Sequence, residues 1–83
     1  MIQIRLFAGA SQLAGQSKVE LSPTDLPANP TVGDVANCLT ARYPQLHSLA
    51  AKSRWAIGSE FVELDCPVES EHSLAMIPPV SGG

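Results

Sequence analysis

At the start of the chain Ile2, Ile4 and Leu6 alternate with Gln3, Arg5 and Phe7. A period of two marks a strand with one face turned to a core. The segment SKVEL alternates again, with Val19 and Leu21 on one side. Between them GASQLAGQ, with two glycines and small polar residues, reads as a connection. Its shortness predicts that the two strands pair as an antiparallel hairpin. Three prolines in SPTDLPANP then forbid a central strand or a helix, so residues 22–30 are a loop.

The clearest helix pattern is TVGDVANCLTARYP. Val32, Val35, Ala36, Leu39 and Tyr43 fall at i, i+3, i+4, i+7 and i+11, which is one apolar face. Thr31 is placed as N-cap with Asp34 in the capping-box position, and Pro44 sets the stop. QLHSLAAKS fits either a helical turn or a loop. RWAI is a third strand, closed by Gly58 and Ser59, and FVEL a short edge strand. DCPVESEH, with its proline and charges, is a loop. In SLAMI the apolar run Leu74–Ile77 predicts a central strand buried on both faces. This order predicts an α+β fold of the β-grasp (ubiquitin-like) kind. It would have a mixed sheet of four to five strands with one main helix packed on one face. Residues 1–83 would form a single domain, with 78–83 as an extended, flexible C-terminal tail.

Composition narrows the function. With 83 residues, 45% of them hydrophobic, the chain can build one small core. A net charge of −3, from 5 basic and 8 acidic residues, argues against nucleic acid or an anionic membrane as partner. Glu60, Glu63, Asp65, Glu69 and Glu71 are clustered, either as a solvated face or as a surface for a basic partner. No apolar run approaches the roughly 18 residues of a membrane span. MIQIRLFAGA has no leader pattern, so a cytoplasmic location is expected. Cys38 and Cys66 form no CxxC pair, and with only His47 and His72 no zinc spacing appears. Neither a metal nor a disulfide is expected. Cys38 lies off the centre of the helix face and reads as a partly exposed structural thiol.

The last residues are MIPPVSGG. Pro78 and Pro79 cannot donate ladder hydrogen bonds, and their fixed φ stiffens the exit from the last strand. Val80, Ser81, Gly82 and Gly83, fully extended, reach roughly 13 Å. Without a Cβ, Gly82 and Gly83 can enter a channel too narrow for side chains. The reactive group on offer is then the Gly83 carboxylate. As a mixed anhydride with AMP it becomes electrophilic, and a sulfur nucleophile would convert it to a thiocarboxylate. The chain has no phosphate-cradling loop followed by lysine, and no Ser/His/Asp or Cys/His set, so it is not expected to catalyse this activation itself.

The β-grasp order, the FA ending the first strand and above all the terminal PPVSGG resemble the small, sulfur-carrier subunits of molybdopterin synthase. These belong to the ubiquitin-like sulfur-carrier family shared with the thiamine-pathway carrier. The resemblance spans essentially the whole chain. It implies that a ubiquitin-activating-like adenylyltransferase, using ATP, attaches AMP to Gly83, where a thiocarboxylate is then formed. The tail would next enter the large catalytic subunit of a heterotetrameric synthase, passing sulfur to the cyclic pyranopterin precursor. Gly83 would be the carrier, Gly82 the slim approach, and Pro78, Pro79, Val80 and Ser81 the docking portion, with Phe7 on the partner-facing surface. No cofactor would be bound by the chain itself. A thiamine-pathway carrier and a ubiquitin-like protein modifier are the alternatives.

The sequence also departs from the family. Ser11-Gln12 replaces a charged pair, Gly58 stands where an Asn is usual, Glu71-His72 replaces a Gly-Asp turn, and the loop 22–30 is long. None of Arg5, Lys18, Arg42, Lys52 and Arg54 is expected near the tail. The chain alone is therefore not expected to hold the substrate phosphate.

Overall fold

The computed structural model describes residues 1–79. Its strands are β1 (Ile2–Leu6), β2 (Lys18–Leu21), β3 (Arg54–Ile57), β4 (Glu60–Val62) and β5 (Ser73–Ile77). Its helices are α1 (Gly9–Ala14), α2 (Val32–Arg42) and α3 (His47–Lys52). The strands form one sheet in the order β2-β1-β5-β3-β4. β1 and β5 run parallel, while β1–β2, β3–β4 and β3–β5 are antiparallel. This is the mixed β-grasp sheet that the alternation predicts, with both hairpins joined through the last strand.

Register puts the alternating apolar residues on one face. Ile4 lies between Val19 and Leu74, Leu6 beside Met76, and Met76 beside Trp55. All of these are buried, together with Val32, Val35 and Leu39 of α2 and with Leu46. Burying a side chain of this size contributes roughly 1.5–3 kcal/mol, so this layer is the main source of stability.

Helix α2 starts as its sequence predicts. The Thr31 N–H donates to Asp34 Oδ2 at 2.9 Å and the Asp34 N–H donates to Thr31 Oγ1 at 3.2 Å, a complete capping box. The charged loop after β4 crosses this helix end. There the Val32 N–H donates to the Cys66 carbonyl and the Gly33 N–H to the Leu64 carbonyl, satisfying donors that the helix leaves free. Cys38 and Cys66 are half-buried and pack against the core.

Two local expectations are corrected and one open alternative is decided. The connection between the first two strands contains the six-residue helix α1, which buries Ala10 and ends at Gly15 in the left-handed region, φ 77°. Such a helix is too short to show a period, and its glycines lie at its two ends, where they mark boundaries and not a coil. The ambiguous segment after Tyr43 resolves as a 3-10 turn, Pro44–Leu46, running into α3. Strand β5 is central, but it is buried on one face only: Leu74 and Met76 are covered, while Ala75 and Ile77 are half-buried. The helices pack on one side, so the other side of β5 belongs to an open sheet face. The loop 22–30 is as expected, apart from a 3-10 turn at Pro23–Asp25 capped by Ser22.

Candidate functional site

Two strands bring the candidate residues together at one end of the sheet. β5 hands the chain to Pro78, half-buried, and Pro79, exposed. Because β1 runs parallel to β5, with Leu6 opposite Met76, it ends at the same edge, and Phe7 follows it there, 41% exposed. A large apolar side chain is thus left in solvent beside the root of the tail. Val80, Ser81, Gly82 and Gly83 lie outside the described residues, so the position of the expected carrier group is given only up to Pro79.

On the other flank of β5, Arg54 opens β3 directly opposite Ile77. The expectation that no basic residue lies near the tail is therefore corrected. Arg54 is remote in sequence, but antiparallel pairing places it one strand away, about 4.8 Å between neighbouring backbones. Its guanidinium carbon stands 3.9 Å from the centroid of the Phe61 ring. Arg5 approaches Phe7 more loosely, at 5.7 Å. A guanidinium over an aromatic face is attracted by the ring quadrupole while its N–H groups stay free to bind.

These residues belong to the open face. Register sets Lys18, Arg5, Ala75, Ala56 and Phe61 in one row across all five strands, with Arg54 and Ile77 in the next row towards the tail. Ala75 and Ala56 at the centre keep this row low beside the bulkier Phe61, which is 55% exposed. Such a surface, apolar in the middle and charged at its margins, has the composition of a protein contact.

The loops that depart from the family each have a local solution. Gly58 has φ 62° in the two-residue turn joining β3 to β4, a conformation glycine adopts at no steric cost. At Glu71-His72 no positive φ is used. His72 Nδ1 accepts from the Glu69 N–H at 2.9 Å, and the His72 N–H donates to the Glu69 carbonyl, closing the turn with a side chain. Ser11 Oγ donates to the Ala8 carbonyl at 3.0 Å, binding α1 to the residue after Phe7. Ala8 itself has φ 50° and ψ −126°, a strained conformation for a residue with a Cβ.

A groove of about 570 Å³ runs between α2, α3 and β4, with Arg54 and Phe61 in its lining. Among the described residues the ion pair is Arg42–Asp25 at 3.4 Å, partly exposed and remote from the tail root. No group of three or more His, Cys, Asp or Glu that could hold a metal occurs among them either. Sequence reasoning singled out Phe7 and the prolines but missed Arg54 and Phe61. The alternation in RWAI does set Arg54 on the face opposite Trp55, yet its nearness to the tail depends on a register that no local pattern encodes.

The geometry has counterparts among known proteins. The molybdopterin synthase sulfur carrier subunit of Dictyostelium discoideum is 31% identical over 84 residues, covering 98% of this chain and 94% of the relative. The crystal structure of SAMP1 from Haloferax volcanii has TM-score 0.86 and 27% identity, covering 99% of this chain and 98% of that one. A chain in the complex of subunits 1 and 2 of molybdopterin-converting factor from Helicobacter pylori shares the fold, with TM-score 0.67 and 16% identity, covering 99% and 97% of the two chains. The ThiS family model matches residues 4–83, so this β-grasp chain belongs to the ThiS family, in the company of molybdopterin synthase sulfur carriers.

Proposed function

We propose that this chain is the sulfur-carrying small subunit of a molybdopterin synthase, working through a thiocarboxylate on Gly83. The observation that carries this reading is the placing of the tail root. The central strand delivers Pro78 and Pro79 at a fixed sheet edge, between exposed Phe7 and Arg54, on a chain related to sulfur carriers along its whole length.

In this mechanism a carboxylate oxygen of Gly83 attacks the α-phosphorus of ATP on an adenylyltransferase, and pyrophosphate leaves. Hydrosulfide, the sulfur donor, then attacks the acyl carbon, the acyl–oxygen bond to the phosphate breaks, AMP departs, and loss of the sulfur-bound proton leaves the thiocarboxylate. Gly82 and Gly83 offer no side chain to obstruct either active site, and Val80 and Ser81 dock behind them. The body contributes position: Pro78 and Pro79 aim the tail, and the open face holds the large subunit in which sulfur reaches the cyclic pyranopterin precursor. The chain itself is a donor, with no catalytic set of its own.

Reconstitution with an adenylyltransferase, a sulfur donor and a large subunit tests this. Appending one residue after Gly83 is expected to abolish molybdopterin formation, while stability changes by less than ~0.5 kcal/mol, as for a surface site. An extended chain that still supports product formation would sink the reading.

A second reading, a ubiquitin-like modifier joined to lysines of target proteins, is favoured by the likeness to SAMP1, a small archaeal modifier protein. It shares the activation step and differs in the acceptor, an amine in place of sulfur. Mass spectrometry separates the two: a gain equal to sulfur minus oxygen at Gly83 supports the carrier, and Gly83 isopeptides on other proteins support the modifier.

A further inference from the structure

We propose that Arg54 is a specificity-determining residue that takes a carboxylate of the large subunit receiving the tail. The proposal rests on the carrier reading above. It begins from where Arg54 stands: opposite Ile77, the last residue of β5, and therefore within one strand of the point where the tail leaves the sheet. A subunit that swallows the tail up to Pro78 must come down onto this edge, and in doing so it removes water from the Arg54 guanidinium.

Among the described residues the side chain has no carboxylate partner. Glu63 follows β4 at the level of Arg54, yet among the described residues the ion pair is Arg42–Asp25. The guanidinium instead lies on the Phe61 ring at 3.9 Å. That contact restricts the arginine without consuming its N–H donors, so a planar fork is held ready for a carboxylate from outside. Covering an unpaired guanidinium is unfavourable, and covering one opposite a well-placed carboxylate is not. An acidic group on the partner thus turns Arg54 from an obstacle into a selector. Partners with an apolar or basic residue at that place are rejected, although Phe7, Ala75 and Ile77 would accept them.

The net charge of −3 makes this a local inversion. The acidic residues Glu60, Asp65, Glu69 and Glu71 follow the β4 edge and the loop beyond it, while Arg5, Lys18 and Arg54 share the open face with Glu20 and with Glu63, just past the end of β4. Long-range attraction of the whole chain for a basic surface would not by itself orient the tail. A single positive group beside the tail root would.

The test is calorimetric titration of the full-length chain into the molybdopterin synthase large subunit of the same organism, at ~50 mM and ~500 mM salt. Arg54→Leu is expected to weaken binding roughly 30-fold and Arg54→Glu by more than ~300-fold, whereas Arg54→Lys stays within about fivefold. Arg42→Leu, on the far side of the molecule, should leave affinity unchanged. Exchanging the facing partner carboxylate for lysine should weaken the wild type and rescue Arg54→Glu, with the carrier variant's folding checked by circular dichroism. If Arg54→Leu binds as tightly as wild type, or more tightly, the face is merely apolar and the proposal is overturned. If no partner substitution rescues Arg54→Glu, it is likewise overturned, even should the Leu variant fail to fold. Wild type that does not bind the large subunit at all would instead overturn the carrier reading, and this inference with it.

Discussion

The two faces of the sheet are made by the same strands and do different work. On the inner face Ile4, Val19, Leu74, Met76 and Trp55 are buried under α2. On the outer face the residues next to them in sequence, Arg5, Lys18, Ala75, Ile77 and Arg54, are exposed or half-buried. Under the proposed function, a period of two separates stability from recognition at single-residue resolution. One face can change its charges and aromatics while the other keeps the fold, which is how one architecture can carry different surfaces.

The sharpest way to break this comparison is to truncate one residue on each side. Leu39→Ala, under the inner face, is expected to lower stability by about 2–5 kcal/mol, a large share of what so small a domain possesses. Phe7→Ala, on the outer face, should lower it by less than about 1 kcal/mol while abolishing detectable complex formation with the large subunit. Urea unfolding and titration calorimetry on both variants check this pair. Comparable losses of stability in the two would mean that the outer face is structural.

A smaller effect sharpens the inner side. Thr31→Ala removes the acceptor for the Asp34 N–H at the start of α2 and should cost about 1 kcal/mol. It should leave affinity for the large subunit unchanged, because the cap is remote from the open face. The smallest effect lies at the junction of the faces. Ala8, just after Phe7, holds φ 50°, and Ala8→Gly should raise stability by about 0.5–1 kcal/mol as strain is relieved. Thermal melting measures it. Destabilisation instead would show that the alanine methyl makes contacts outweighing the strain.

Most of the architecture was legible because burial on one side writes a period into the sequence. The alternation of Ile2–Leu6 and Lys18–Leu21 gave two strands and their pairing, and the helix from Val32 carried both its apolar face and its Thr31–Asp34 cap. Helix α1 escaped because six residues with glycines at the boundaries resemble a coil, and only the burial of Ala10 in the tertiary structure justifies it. The one-sided burial of β5 escaped because Ala75 and Ile77 are apolar for a reason other than the core: they line the open face. At the candidate site Phe7 and the prolines were visible as local features. Arg54 was not, since its relation to Ile77 is created by pairing between segments distant along the chain.

The position of β5 has a mechanical consequence. A subunit that grips the tail pulls on Pro78, and through it on a strand flanked on both sides, by β1 in parallel and β3 antiparallel. Tension along the strand axis loads both ladders in shear, so many hydrogen bonds must yield together. An edge strand pulled from its end would open one bond at a time. In the proposed carrier role the tail is thus fastened where extraction is hardest, and repeated docking and withdrawal would draw on it without unravelling the sheet behind it.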